Sequence, residues 1–352
     1  MRRFAGALAV AGALAAAPIV SHAAAKTLDI YFIDVEGGQS TLIVTPAGES
    51  FLIDAGFPGD GTFASKPGPP AQARDAQRVL AAARDAGVKQ IDYLMLTHYH
   101  ADHAGGVVEL AQLLPIHTFI DHAAPSAEAE VAVPGTQAVY DGYVALRAKG
   151  KHIEPKPGDR LPLKDVEVVV VASEEVGLSK PLAGAGQPNS ACSGQGVPAQ
   201  EKTENPRSTA VRLQYGRFRF LDVGDLTGPP LFALTCPINM VGESEVYLVA
   251  HHGGADGADS SLYAAVKPLV AITNNGPRKG AQAQTLATIR QMPSIDGWQL
   301  HRTLNRGAEN MPDERIANLS DSTAAWIKVS ANADGSFTVT NGRTGVSKSY
   351  RR

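Results

Sequence analysis

Apolar residues along this chain come in short runs separated by Gly-, Pro- and Asp-rich turns, a spacing that predicts many short strands interleaved with helices. Residues 28–33 and 39–44 alternate or run apolar for about a strand length, and Asp34-Val35-Glu36-Gly37-Gly38 between them has the turn chemistry of a hairpin. A third run, residues 50–53, follows the turn Pro46-Ala47-Gly48 and ends at Asp54-Ala55-Gly56. Residues 57–74 are rich in Gly, Pro and Ser and read as a loop. In residues 77–86, Val79, Leu80 and Ala83 fall on one helical face. The run 91–96 predicts a buried strand, 107–114 a helix, 117–121 a strand, 136–149 a helix and 166–172 a β-branched strand. Strand and helix alternating in this way predict an α/β fold of layered sheets and helices.

Residues 173–207 break the regularity, with few large apolar residues and much Gly, Pro, Ser, Glu and Gln. A connection of that length is expected to be functional, here the rim of an active site. Two alternating strands follow, joined at Tyr215-Gly216, and the second leads into Gly224-Asp225. Buried strands are expected at 245–250 and 269–273, and further strands at 298–301 and over 326–340, the last pair turning at Asp334-Gly335. The lone His301 is expected to be structural.

The candidate chemistry sits at the end of the 91–96 strand, in Thr97-His98-Tyr99-His100-Ala101-Asp102-His103. Three imidazoles and a carboxylate this dense are strong ligands for a borderline divalent metal. In extended backbone alternate side chains share a face, so His98 and His100 form a pair. Asp102 and His103 follow where the chain turns into a helix and aim elsewhere, which predicts two adjacent metals. Downstream, the strand ending in His251-His252-Gly253-Gly254 offers one more ligand, with His251 the first choice and His252 the second. One of the pair could instead be a catalytic group.

The His-x-His-x-Asp-His motif after a buried strand resembles the signature of the metallo-β-lactamase-fold hydrolases. The opening Phe-Ile-Asp-Val-x-x-Gly-Gln-x and Leu-Ile-Asp-Ala-Gly, the hairpin ending in Gly224-Asp225, and His251-His252-Gly253 resemble more narrowly the soluble domain of bacterial competence DNA-internalisation proteins. The resemblance spans most of residues 28–275. It implies a four-layer αββα sandwich, with His98, His100, Asp102, His103, Asp225 and His251 as metal ligands and Asp225 bridging two ions. It also implies that Asp54 supports the metal loop without binding metal, and that Asp102 and His252 are the candidate catalytic groups. Many members supply a further His to the first metal; here Asn205 to Ser208 stand where it would be sought, and His122 is the substitute to consider. Asp222, inside its strand, has no matching role.

Composition bounds the rest. The chain has 352 residues, 44% hydrophobic and 19% charged, enough for a sizeable core. Arg2 and Arg3, the Ala-rich run 4–20 and Ser21-His22-Ala23 predict an export signal over residues 1–24, cleaved near Ala23, with one hydrolase domain over 25–352. Removing the two arginines takes the formal charge from −3 to −5. Long nucleic acid is therefore not favoured as a partner. Arg278-Lys279 and the tail from Lys348 to Arg352 are the dense basic runs, read as solvated surface and a frayed end. No stable membrane span is expected after cleavage. Two cysteines, Cys192 and Cys236, leave a single disulfide open in an exported protein.

Two divalent ions sharing a carboxylate can hold a hydroxide between them, because metal binding lowers the pKa of water towards about 7. The expected activity is metal-dependent hydrolysis of a small-molecule phosphoester or phosphodiester, with zinc as the metal and manganese as the alternative. A β-lactamase or lactone hydrolase and a non-catalytic metal-binding module are the competing readings.

Overall fold

Two nine-stranded sheets lie face to face. The computed structural model describes residues 26–352, so the expected export signal lies outside the described residues. The first sheet contains β1 (Leu28–Phe32), β2 (Thr41–Val44), β3 (Ser50–Ile53), β4 (Ile91–Met95), β5 (Ile116–Ile120) and β6 (Lys151–Ile153). The second contains β7 (Arg160–Leu161), β8 (Glu167–Ser173), β9 (Val176–Gly177), β10 (Ala210–Tyr215), β11 (Phe218–Asp222), β12 (Val246–Leu248), β13 (Val270–Thr273), β14 (Asp296–His301) and β15 (Ile316–Asn318). The chain then returns to the first sheet through β16 (Ile327–Ala331), β17 (Phe337–Asn341) and β18 (Ser347–Tyr350), with β16 antiparallel to β1. Strands β3 to β6 pair in parallel, as do β11 to β15.

Period-two alternation decides what each strand faces. Ile30 and Phe32 point into the space between the sheets, against Val168, Val170, Phe220 and Val246, and Phe32 meets Phe220 edge-on at 5.6 Å between centroids. Tyr31 and Ile33 point the other way, onto α1 (Arg74–Asp85), whose Val79, Leu80 and Ala83 cover the first sheet. α2 (Ala101–Ala104), α3 (Val107–Leu110), α4 (Ala127–Ala132) and α5 (Thr136–Arg147) follow in the chain, and α3 and α5 complete that outer layer. On the far side Leu221, Tyr247 and Ala271 pack under α6 (Gly228–Ala233), α7 (Ser260–Val266) and α8 (Ala283–Arg290). The result is the expected αββα sandwich. Strands covered on both faces read as continuous apolar runs, which is why Val168 to Ala172 shows no polar alternation.

Three features depart from the sequence expectation. The helix expected over 107–114 is shorter, with α3 ending at Leu110; before it, Gly105 and Gly106 separate α2 from α3 and lie so close to Ala101 O and Ala55 O respectively that a Cβ would fall 2.3 Å from each. The helices α4, α6, α7 and α8 carried no strong pattern, being short and in α6 opening with Gly228-Pro229-Pro230. The basic tail is no frayed end. Tyr350 stacks on Phe337 at 5.0 Å and accepts from Trp298 Nε1 at 3.1 Å, while Lys348 and Arg352 pair with Asp296 and Glu243.

Cys192 and Cys236 form a disulfide with Cα atoms 5.8 Å apart, tying the 173–207 connection to the segment after α6. Closing a loop between residues 44 apart restrains the unfolded chain by ~2–4 kcal/mol. The Cys192→Ala/Cys236→Ala protein is expected to lose about that much stability in urea unfolding without reductant; an unchanged midpoint would contradict it.

Candidate metal centre

The site lies at the carboxyl ends of the parallel strands, where each strand releases a loop. β3 delivers Asp54, β4 the Thr97–His103 stretch, β11 Asp225 and β12 His251 and His252. Asp54 is fully buried and accepts from Thr97 N–H at 2.8 Å, from Thr97 Oγ1 at 2.7 Å and from His103 Nδ1 at 2.7 Å. Those bonds choose tautomers. With Nδ1 donating to Asp54, neutral His103 keeps a lone pair on Nε2. Thr97 Oγ1 donates to Asp54 and so accepts from His98 Nδ1 at 3.0 Å, which leaves the His98 Nε2 lone pair free.

The freed nitrogens converge. His103 Nε2 stands 3.1 Å from His252 Nε2 and 3.2 Å from Asp225 Oδ2, and His252 Nε2 is 3.3 Å from Asp102 Oδ2. Asp102, His103, Asp225 and His252 thus present ligand atoms all within 4.8 Å of one another, and all four are buried. Beside them His98 Nε2 and His100 Nδ1 lie 2.9 Å apart. Asp225 Oδ1 is a buried oxygen with no hydrogen-bond partner. Two imidazoles and two carboxylates aimed at one point, with an orphaned oxygen among them, fit a divalent cation.

Electrostatics support the same reading. Burial disfavours a charged His103, yet Asp225, Asp102 and Asp54 raise its pKa well above the ordinary histidine range. Burial also opposes ionisation of Asp102 and Asp225, and Lys279 with His103 for the one, and His103 and His252 for the other, still hold both carboxyls well below theirs. His98, deeply buried and next to His103 and His100, is pushed far down, and burial takes His100 to about 4. The pocket asks for a cation and keeps the His98–His100 pair neutral.

Residues 33–197 match the family model described as the metallo-beta-lactamase superfamily. That match covers a little under half of the chain and agrees with the two-sheet architecture in pointing to the metallo-β-lactamase fold. Similar solved structures include a HARLDQ-motif mutant metallo-β-lactamase from Cronobacter sakazakii, 16% identical over 66% of this chain and 87% of that one, TM-score 0.38. The metallo-β-lactamase-fold protein YhfI from Bacillus subtilis is 11% identical over 71% and 87%, TM-score 0.39. CmlA, a diiron β-hydroxylase from Streptomyces venezuelae, is 12% identical over 70% and 44%, TM-score 0.36. No curated protein matches the sequence significantly.

Within this metallo-β-lactamase fold the expected residues meet, with four corrections. His252, not His251, enters the cluster. Both residues adopt left-handed backbone, φ 50° and 54°, so the strand's alternation ends before them and the two imidazoles part. His251 turns to the rim, 30% exposed, with Nδ1 3.1 Å from Asp256 and Nε2 3.8 Å from Asp225. Second, Asp225 groups compactly with the Asp102 side, and among the described residues no third ligand closes on His98 and His100. Third, His122 joins neither half: its Nδ1 meets Glu174 at 2.8 Å and its Nε2 faces Glu204 at 3.6 Å. Fourth, Lys279, read as solvated surface, forms an ion pair with Asp102 inside the site. A further acidic group, Asp34, Glu36 and His301, is already occupied by the guanidinium groups of Arg74 and Arg78, and His301 bonds Asp34 at 3.0 Å as a structural residue. The 173–207 connection does reach the rim, where Asn205 Nδ2 approaches His251 Nε2 at 3.5 Å. Asp222 carried no distinguishing signal and Gln39 only its place in the opening motif, yet Gln39 Nε2 donates to Asp222 at 3.1 Å and ties the first hairpin loop to the second sheet.

Asp54→Ala, which frees His103 and Thr97, should weaken zinc binding ~10–100-fold in a competition titration; unchanged affinity would remove Asp54 from its orienting role. Burial pushes the Asp222 carboxyl up to about 7, against the Gly224 N–H bond and with help from the Asp54 charge. An acid raised in the fold costs stability as pH climbs from its unfolded value near ~3.9 to its folded one. Asp222→Asn should therefore gain stability relative to wild type between pH 4 and about 7, with no further gain above; a constant difference across that range would contradict this.

Proposed function

We propose that this chain is an exported, zinc-dependent hydrolase of phosphate esters, nearest in its site to the competence-type branch of its superfamily. The observation that carries the proposal is the convergence of His103 Nε2, His252 Nε2, Asp102 and Asp225 in a buried pocket beside the His98–His100 pair. Imidazole and carboxylate donors suit zinc, with manganese the alternative. A divalent cation there supplies Lewis acidity, which makes water acidic enough to attack near neutral pH and polarises a phosphoryl oxygen.

The protein's own groups do the remaining work. Asp102, His103, Asp225 and His252 form the tighter half of the site, and His98 with His100 the looser half, so the two halves bind unequally. His251 takes the catalytic role that the sequence left open between the two histidines. Asp256 orients its imidazole from Nδ1, and burial is outweighed by Asp225 and Asp256, which raise its pKa. That leaves Nε2, at the cleft, able to give a proton to a leaving oxygen. The export reading rests on the N-terminal pattern and on the Cys192–Cys236 disulfide, a bond of oxidising compartments.

Metal analysis coupled to turnover tests the assignment. Asp225→Ala and His252→Ala should lose metal and most hydrolysis of bis-p-nitrophenyl phosphate. His251→Ala should keep its metal and fall ~10²–10⁴-fold in kcat. A chelator should silence the wild type reversibly. A folded Asp225→Ala protein that kept its metal and near-normal turnover would sink the proposal, and faster turnover of a chromogenic cephalosporin than of the phosphodiester would move it to β-lactams.

A further inference from the structure

Lys279 is the residue that the metal centre leaves unexplained. Its ammonium pairs with Asp102 Oδ2, the oxygen that also faces His103 and His252. Among the described residues Asp102 is the sole carboxylate within ion-pair distance of Lys279. A cation held by the cluster competes for that oxygen and repels the ammonium in a buried, weakly screened setting. Lys279 then lacks a counter-charge at the mouth of the site.

The lysine is held there by its backbone. Gly276 N–H donates to Lys279 O at 2.9 Å and closes a tight turn. On one side Gly280 lies so near His252 that a Cβ would fall 2.1 Å from its carbonyl oxygen; on the other, Gly37 packs on Lys279 Cβ. Asn305 Nδ2 donates to Gly280 O at 2.6 Å and Leu304 N–H to Pro277 O at 2.8 Å, bracing the turn from behind. The ammonium also sits 5.9 Å and 5.3 Å from the ring centroids of Phe57 and Phe63. Phe63 is 64% exposed and walls the cleft from the 57–73 loop, which Glu109 holds by accepting from Gly59 and Gly68 N–H. Beside Lys279 opens a cavity of about 570 Å³ lined by His251, His252, Asp256, Arg278, Gln282 and Gln284; the Asp256 carboxylate is engaged by His251 Nδ1, and exposed Arg278 adds a second positive charge.

We infer that Lys279, assisted by Arg278, forms an anion subsite that receives the phosphoryl oxygens of the substrate, so that the substrates are phosphate esters bearing net negative charge. The inference rests on the hydrolase reading above and deepens it. With both halves of the site loaded, two divalent cations would outweigh the carboxylates of Asp54, Asp102 and Asp225, and the lysine would add to that surplus. A neutral ester gains nothing from it. An ammonium is a compact point charge on a flexible stem, suited to follow a phosphoryl group rather than to clamp a planar one.

The test is calorimetric titration of inorganic phosphate into zinc-loaded wild type, Lys279→Met and Lys279→Arg, with metal content measured on each and acetate titrated in parallel. Wild type should bind phosphate more tightly than acetate. Lys279→Met should bind it at least tenfold more weakly with unchanged metal content, and Lys279→Arg should retain most of the affinity. With bis-p-nitrophenyl phosphate, Lys279→Met should raise KM more than it lowers kcat. Phosphate affinity within twofold of wild type in Lys279→Met, loss of metal from that variant, equal binding of acetate, or no phosphate binding by wild type would each overturn the subsite. If phosphate binding shows the expected loss and no ester is turned over, the subsite stands and the hydrolase reading falls.

Discussion

A single buried carboxylate holds the two halves of the metal centre to the fold. Asp54 sits at the end of β3 with φ 59°, a left-handed conformation that a non-glycine residue adopts only where its surroundings compel it. Its oxygens accept from His103 directly and from His98 through Thr97, so one charge sets the ring orientation of a ligand in each half. Burying a carboxylate costs free energy unless it is paired and hydrogen-bonded, and these three bonds offset that cost only while the loop after β4 keeps its shape. The metal loop and the strand beside it therefore fold as one unit.

The sandwich supplies the rigidity that this arrangement needs. Parallel strands buried on both faces end at a common edge, and the loops leaving that edge are pressed together with no room for side chains. At Gly38 a Cβ would lie 2.2 Å from Asp102 O, while Gln39 N–H donates to that same oxygen at 3.0 Å. The first hairpin loop is thus a wall of the metal site, and Gln39 carries the contact on to Asp222 of the second sheet. Packing between the sheets, led by Phe32 against Phe220, sets the spacing across which Asp102 and His103 from one sheet meet Asp225 and His252 from the other.

Much of this was legible in the residues. Strand positions followed from apolar runs, the αββα layering and Asp54 from the resemblance, and the metal motif from ligand density. What stayed hidden depended on local backbone or on distant partners. The choice between His251 and His252 turns on two consecutive left-handed residues after β12, which no side-chain pattern announces. Lys279 looked like solvated charge because its partner, Asp102, lies 177 residues away in sequence. Helices α6 and α8 were missed because their stability comes from docking on the second sheet rather than from a strong amphipathic pattern. The C-terminal strand was missed because its polar Ser347, Lys348 and Ser349 hide the one residue that anchors it, Tyr350.

The proposal places one cation between the sheets, at Asp102, His103, Asp225 and His252, and a weaker one at His98 and His100. Anomalous diffraction from crystals of the zinc-loaded protein, collected on both sides of the zinc edge, locates both directly. The account predicts the strongest peak at ~2.0–2.2 Å from His103 Nε2 and His252 Nε2 and a lesser one between His98 Nε2 and His100 Nδ1. A principal peak coordinated by His251, or none within reach of His103 and His252, would contradict it.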